Sequence, residues 1–258
     1  MMKKVELNNG AVTVELGSNT VKVIGRNDEV LFDLDNVESR KKENVKPFFF
    51  FMGRHEREKV AKWLTVTIPT THNQVEFCRR VEVALQNVEY DFQIATMEPS
   101  FGVDGQLTFA KNKDVAVGLN YWQWLEKASS FYNDEFWQSD LAEIAEYDLF
   151  IAYRIATGCW TIEYVCDDSS GRGNYRRGEL DGCHMEKTGA RRVGGFHDGV
   201  GNTHKLVKAG DSFVVCGGNY RALGSQYPVG DVGSWVYFAC EFVGYASGVV
   251  VIRKKVKD

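Results

Sequence analysis

The chain has 258 residues, of which 44% are hydrophobic and 26% charged. That composition is globular, and the length is enough to bury a core without disulfide or metal staples. With 31 Lys plus Arg against 35 Asp plus Glu, the net charge of -4 excludes a uniformly basic coat and leaves room only for a local basic patch.

The first 72 residues are β-rich. Val12, Val14 and Leu16 alternate with polar residues, as do Val21 and Val23, which is the period-two pattern of half-buried strands. Gly17-Ser18-Asn19 predicts the turn of a hairpin between them, and Val30 to Leu34 predicts a third strand. Glu38 to Asn44 is almost wholly polar and predicts an exposed loop or short helix. Arg54 to Leu64 has helical composition, and Thr65-Val66-Thr67-Ile68 predicts a strand ended by Pro69.

The middle of the chain is more helical. Asn73 with Glu76 predicts a capping box, followed by one apolar face through Val75, Cys78, Val81, Leu85 and Val88. The aromatic segments Tyr121-Trp122-Gln123-Trp124 and Phe131-Tyr132 come next. Asp140 with Glu143 predicts the start of a second helix. Leu141, Ile144, Ala145, Ala152, Ile155 and Ala156 form its apolar side, and Gly158 its stop.

From Cys159 onward the chain is Gly-rich, with 18 of the 25 glycines following residue 150. Cys159 to Cys166 and Ser212 to Cys216 predict strands, and Trp235 to Val243 with Ser247 to Arg253 a hairpin around Gly244. Residues 167–204 are polar and weakly periodic, and a loop system of that length is usually functional or mobile. The expected fold is α+β: a β-rich N-terminal portion and a Gly-rich β portion, 159–258, around a central group of amphipathic helices. The reading is a single domain, 1–258, with a secondary boundary near residue 70.

The start, Met1-Met2-Lys3-Lys4-Val5-Glu6, is followed by no apolar run, so the expectation is a cytoplasmic protein with free thiols. Cys78, Cys216 and Cys240 sit among apolar neighbours and read as small core residues. Phe48 to Phe51 is too short a run to span a membrane.

Few motifs carry chemistry. Gly189 and Gly194 have the outer spacing of a phosphate loop, but Lys and Ser or Thr do not follow. Cys166, Cys183, His184, His197 and His204 are the right types for zinc but lack its spacing, so no metal and no cofactor is expected. Cys183-His184 and His197-Asp198 are sequence neighbours, which point apart on a strand. Asp167-Asp168 reads as a polar turn. No Gly-x-Ser-x-Gly or His-Glu-x-x-His occurs, so the chain carries no enzyme signature.

The most suggestive passage is the loop region itself. Arg172, Arg176, Arg177, Arg191 and Arg192 supply planar donor forks for phosphate, and Tyr175 and Phe196 supply faces for base stacking. Lys187 and Asn219-Tyr220-Arg221 add to it, and Glu179, Asp181 and Glu186 dilute it. A second constellation is electrostatic. Asp134, Glu135, Asp140, Glu143, Glu146 and Asp148 oppose a basic end, Arg253, Lys254, Lys255 and Lys257, and suit pairing between copies. Trp122, Trp124, Phe136 and Trp137 are interface-type residues.

Over Arg154-Ile155-Ala156-Thr157-Gly158-Cys159-Trp160 the chain resembles the helix-to-strand step in guide-RNA-binding backbone subunits of CRISPR complexes. The resemblance is confined to that junction, and no residue role is taken from it. The leading expectation is a non-enzymatic protein that binds single-stranded nucleic acid, RNA favoured, through Arg172, Tyr175, Arg176, Arg177, Arg191, Arg192 and Phe196. The alternatives are a structural subunit of a larger cellular or viral assembly, with self-association, and an enzyme whose site is assembled from distant residues. No membrane contact is expected.

Overall fold

A computed structural model describes residues 48–171, 174–175, 184–190, 201–233 and 246–255 in full, and 3–7, 12–16, 21–25, 30–34, 192–193 and 196–197 as backbone. The chain divides into two compact units, Met1–Val45 and Lys46–Asp258, so residue 70 falls inside the second.

The first unit is an antiparallel meander of β1 (Lys3–Leu7), β2 (Val12–Leu16), β3 (Val21–Gly25) and β4 (Val30–Leu34). Leu16 pairs with Val21 and Val14 with Val23, so the two alternating segments lie in antiparallel register. The predicted turn at 17–19 and the polar stretch 38–44 lie outside the described residues.

The second unit is α+β. Its elements begin with β5 (Phe49–Met52), α1 (Arg54–Val66), α2 (His72–Asn87) and β6 (Phe92–Ala95). The hairpin of β7 (Ser100–Phe101) and β8 (Leu107–Thr108) leads to α3 (Tyr121–Ser130) and β9 (Trp137–Leu141). Then come α4 (Ile144–Ala156), α5 (Ile162–Cys166), β10 (Arg192–Val193) and β11 (Phe196–His197). The last are β12 (His204–Ala209), β13 (Ser212–Cys216), β14 (Val232–Gly233), β15 (Ala246–Gly248) and β16 (Val250–Lys254).

Two four-stranded sheets organise this unit. One is antiparallel, in the order β5-β6-β16-β9. The other, β14-β13-β12-β15, closes on a parallel pair of β12 and β15. Ala142 joins them: its N–H donates to Val249 O at 2.7 Å and its carbonyl accepts from Lys208 N at 2.7 Å. The predicted strand 247–253 is therefore two strands, split at Val249 between the sheets. Residues 235–243, its expected hairpin partner, are outside the described residues.

Both faces are buried. Val250 and Ile252 of β16 join a core with Leu206, Phe213, Tyr121 and Trp124, covered by α3. Val249 and Val251 join the opposite core with Val207, Phe77, Val81 and Leu149, covered by α2 and α4. Successive residues of a strand point to opposite faces, so a strand buried on both reads as an unbroken apolar run, as Val249 to Ile252 does. Among the described residues no helix is long and apolar enough to cross a membrane.

Several local expectations change. Thr65 and Val66 end α1, with Thr67 N bonded to Trp63 O at 3.1 Å, so the strand expected over 65–68 is absent; Val66 and Ile68 are exposed. The cap of α2 is Thr71, whose hydroxyl accepts from Gln74 N, not Asn73. The buried stripe is accordingly Gln74, Phe77, Val81 and Ala84, while Val75 is exposed. Asp140 and Leu141 belong to β9, and α4 starts at Ile144 after the cap Glu143. Finally, Cys159 to Cys166 is no strand. Thr161 caps the short helix α5 there, so the step after α4 is helix to helix.

Candidate nucleic-acid interface

Among the described residues, Asn202 ties together the base of the loop region between α5 and β12. Its backbone is left-handed, φ +63°, a conformation Asn tolerates better than most residues. The side chain is buried, and its two polar atoms are saturated. Nδ2 donates to Glu98 Oε2 at 2.5 Å and to Glu186 O at 3.2 Å. Oδ1 accepts from Asn174 Nδ2 and from Glu186 N, each at 2.8 Å. The main chain adds Asn202 N to Asn174 O at 2.9 Å and Tyr220 N to Asn202 O at 3.1 Å.

These bonds bring residues 174 and 186 together, and Asn174 Nδ2 also reaches His184 O at 3.1 Å. Residues 174–175 and 184–186, on either side of Arg176 and Arg177 in the sequence, are thereby tied together in a closed neck. Gly201 makes the closure possible. It has φ +68°, and a Cβ there would lie 2.6 Å from Asn174 O.

Beneath the neck lies a buried ion pair. Lys205 Nζ donates to Glu98 Oε1 at 2.7 Å, Thr203 O at 2.8 Å and Gly201 O at 3.1 Å, which uses its three protons. The Glu98 carboxylate also accepts from Thr203 N at 3.1 Å and from the Thr203 hydroxyl. A buried pair is tolerated only when its remaining hydrogen-bonding capacity is met, as it is here.

A second strap follows the neck. Thr188 is buried, and its Oγ1 donates to Ala110 O at 2.5 Å and accepts from Lys113 N at 3.0 Å. Asn112 N bonds Thr188 O at 2.7 Å, and Thr188 N bonds Lys113 O at 2.8 Å. The pin leaves Lys111, Lys113 and Lys187 exposed around it. Lys187 Nζ lies 3.9 Å from Asp114, a surface pair of little energetic weight. Lys111 and Lys113 are not among the sequence candidates; their proximity to Lys187 comes from pairing across 75 residues.

The sequence candidates fall in three groups. Tyr175 is corrected: it is 4% exposed and sits in the main core, its ring against Gly218, where a Cβ would come within 2.8 Å of Cε1. An aromatic ring that seals a core is not presented to a base. Arg192 and Phe196 lie on the two-residue ladder of β10 and β11, opposite His197 and Val193. Arg172, Arg176, Arg177 and Arg191 lie outside the described residues.

The other constellations resolve differently. Among the described residues no group of three His, Cys, Asp or Glu is placed to hold a metal. Cys166 is buried, His184 exposed, and His204 Nδ1 lies 2.7 Å from Gly217 O, with burial holding its pKa below the ordinary value. Asp167 accepts from Thr71 Oγ1 at 2.8 Å and Gln74 Nε2 at 2.6 Å, which ties α5 to α2. Part of the acidic stretch is paired within the chain, by one residue of the basic end and by two cations from elsewhere in the sequence. Arg253 pairs with Glu146 and Asp140, Lys208 with Asp140 and Glu143, and Arg80 with Asp148. Trp124 is fully buried, whereas Trp122 and Phe136 are exposed.

No protein-family model matches the chain, and no curated protein matches it in sequence.

Proposed function

We propose that this chain is a non-enzymatic binding protein for single-stranded nucleic acid, RNA favoured, with its contact surface on the Arg- and Gly-rich loops of residues 171–196. Arg172, Arg176, Arg177, Arg191 and Arg192 meet phosphates, and Phe196 stacks on a base. Tyr175 serves as the buried anchor of the loop.

The supporting observation is the closed neck at Asn202. It gathers both ends of the segment bearing Arg176 and Arg177 beside the exposed Lys111, Lys113 and Lys187. Two segments distant in sequence thus contribute cations to one place on a chain whose net charge is -4. Fixed attachment lowers the ordering cost of binding.

Fluorescence anisotropy of a labelled single-stranded RNA at two salt concentrations tests the reading. Binding that weakens steeply with salt, and is lost in Arg176→Ala/Arg177→Ala, supports it. Absence of binding at low salt overturns it.

A further inference from the structure

We infer that the turn of residues 219–222 is a nucleotide-binding corner, where the Tyr220 ring stacks on a base and the Arg221 guanidinium meets the adjacent phosphate. The inference rests on the proposed nucleic-acid reading and gives it a stacking residue in place of Tyr175, which is in the core. Ala222 N bonds Asn219 O at 3.0 Å, closing a β-turn with Tyr220 and Arg221 at its two corner positions. Asn219 is buried, and its Oδ1 accepts from Arg221 N at 2.8 Å, the bond by which an asparagine fixes the turn it begins. Arg221 is exposed and Tyr220 half-buried, with the guanidinium carbon 5.9 Å from the centroid of the ring. A ring and a donor fork held together match a nucleotide, whose base offers a π-face and whose phosphate accepts from the fork.

Three attachments hold the turn in place. Tyr220 N bonds Asn202 O at 3.1 Å, and Asn202 in turn holds Asn174 and Glu186. Gly218 packs on the buried Tyr175 ring, where a Cβ would lie 2.8 Å from Tyr175 Cε1 and 3.0 Å from Ala222 Cβ. Ser169 N bonds Gly224 O at 3.0 Å, and a Cβ at Gly224 would run into Ser170 N. Tyr175 thus supports the turn from the core while Tyr220 occupies its corner. A platform ordered before binding gives up little freedom when ligand arrives.

The experiment compares, by fluorescence anisotropy across a salt series, a labelled single-stranded RNA with an abasic ribose-phosphate strand of the same length. The wild type should prefer the RNA. Tyr220→Leu should bind the RNA about tenfold more weakly, the scale of one lost base stack, and bind the abasic strand as the wild type does. Tyr220→Phe should keep wild-type affinity for both. Arg221→Gln should lower the salt slope by about 0.7, one phosphate contact on a single strand, while Tyr220→Leu leaves the slope unchanged. Wild-type RNA affinity in Tyr220→Leu overturns the stacking role and leaves the nucleic-acid reading standing. An equal loss on both strands with a lowered melting temperature does the same, since it marks a tyrosine that only holds the turn. An unchanged slope in Arg221→Gln overturns the phosphate contact. A wild type that binds neither strand at low salt overturns the nucleic-acid reading, and this inference with it.

Discussion

Arg253 clasps Glu146 with two parallel hydrogen bonds, Nε to Oε1 at 2.6 Å and Nη2 to Oε2 at 2.7 Å. The pair ties β16 to the first turn of α4. Glu146 is fully buried, and it also accepts from Tyr90 OH at 3.1 Å and from Glu143 N at 2.8 Å. Removing the arginine leaves a carboxylate in the core with no countercharge. Arg253→Met is therefore expected to lose about 3–5 kcal/mol of stability in urea denaturation. Arg253→Met/Glu146→Leu should recover part of it, since the apolar pair has no charge to desolvate but leaves Tyr90 OH and Glu143 N without their acceptor. A single-variant loss below about 1 kcal/mol would place Glu146 in contact with water.

The same cluster sets an acid limit. Burial pushes the Asp140 carboxyl up, but Arg253 and Lys208 outweigh it and hold the pKa below the ordinary carboxylate value. A carboxyl with a depressed folded pKa stabilises fully above its unfolded pKa, about 3.9, and loses that stabilisation as pH falls through the folded value. Asp148 runs the other way. Burial raises its pKa against the pull of Arg80, so acid relieves rather than removes its contribution. Urea midpoints measured from neutral pH down to about pH 2 should hold until about pH 4 and fall below it in the wild type. Asp140→Asn should start lower and decline less. Parallel curves would assign the acid transition to other carboxylates.

Local signals carry much of this fold, and their failures have local causes. Val30 to Leu34 and Ser212 to Cys216 are strands at the predicted bounds, because short runs rich in apolar residues are bounded there by polar residues or glycine. Helix α3 has a local signature that its run of aromatics obscures: Asn120 and Gln123 cap each other at 2.9 and 3.0 Å, and Tyr121, Trp124 and Ala128 make its buried stripe. The α5 segment reads as a strand because Ile162, Tyr164 and Val165 favour strands, while the Thr161 cap and packing against α2 favour a helix. The neck at Asn202 has no sequence signal at all. Glu98 and Asn202 are 104 residues apart, and only tertiary pairing brings them together.

Tyr175 is a structural residue next to the arginines of the proposed surface. Truncating a buried aromatic leaves a cavity, so Tyr175→Ala should cost about 3–5 kcal/mol by urea unfolding. Arg176→Ala, one residue on, should leave stability within about 0.5 kcal/mol if its side chain is on the surface. A tyrosine that stacked on bases would show the reverse: RNA affinity lost at unchanged stability.

The thiols should react in an order set by burial and neighbours. Cys159 is half-buried just past α4. Burial raises its pKa, but the Thr157 hydroxyl, 3.5 Å from Sγ, and Arg154 outweigh that and bring it below the ordinary thiol value. Cys166 and Cys216 are buried, and burial pushes both thiols far up. The thiolate is the reactive form, so access and thiolate fraction point the same way. Iodoacetamide at about pH 7.5, read by peptide mass spectrometry, should modify Cys159 in the native protein well before Cys166 or Cys216. Those two should react only once urea opens the core. If they label at the Cys159 rate without denaturant, the core between α2, α5 and β13 opens in the native state, and the buried Arg80–Asp148 pair beside it is solvated rather than enclosed.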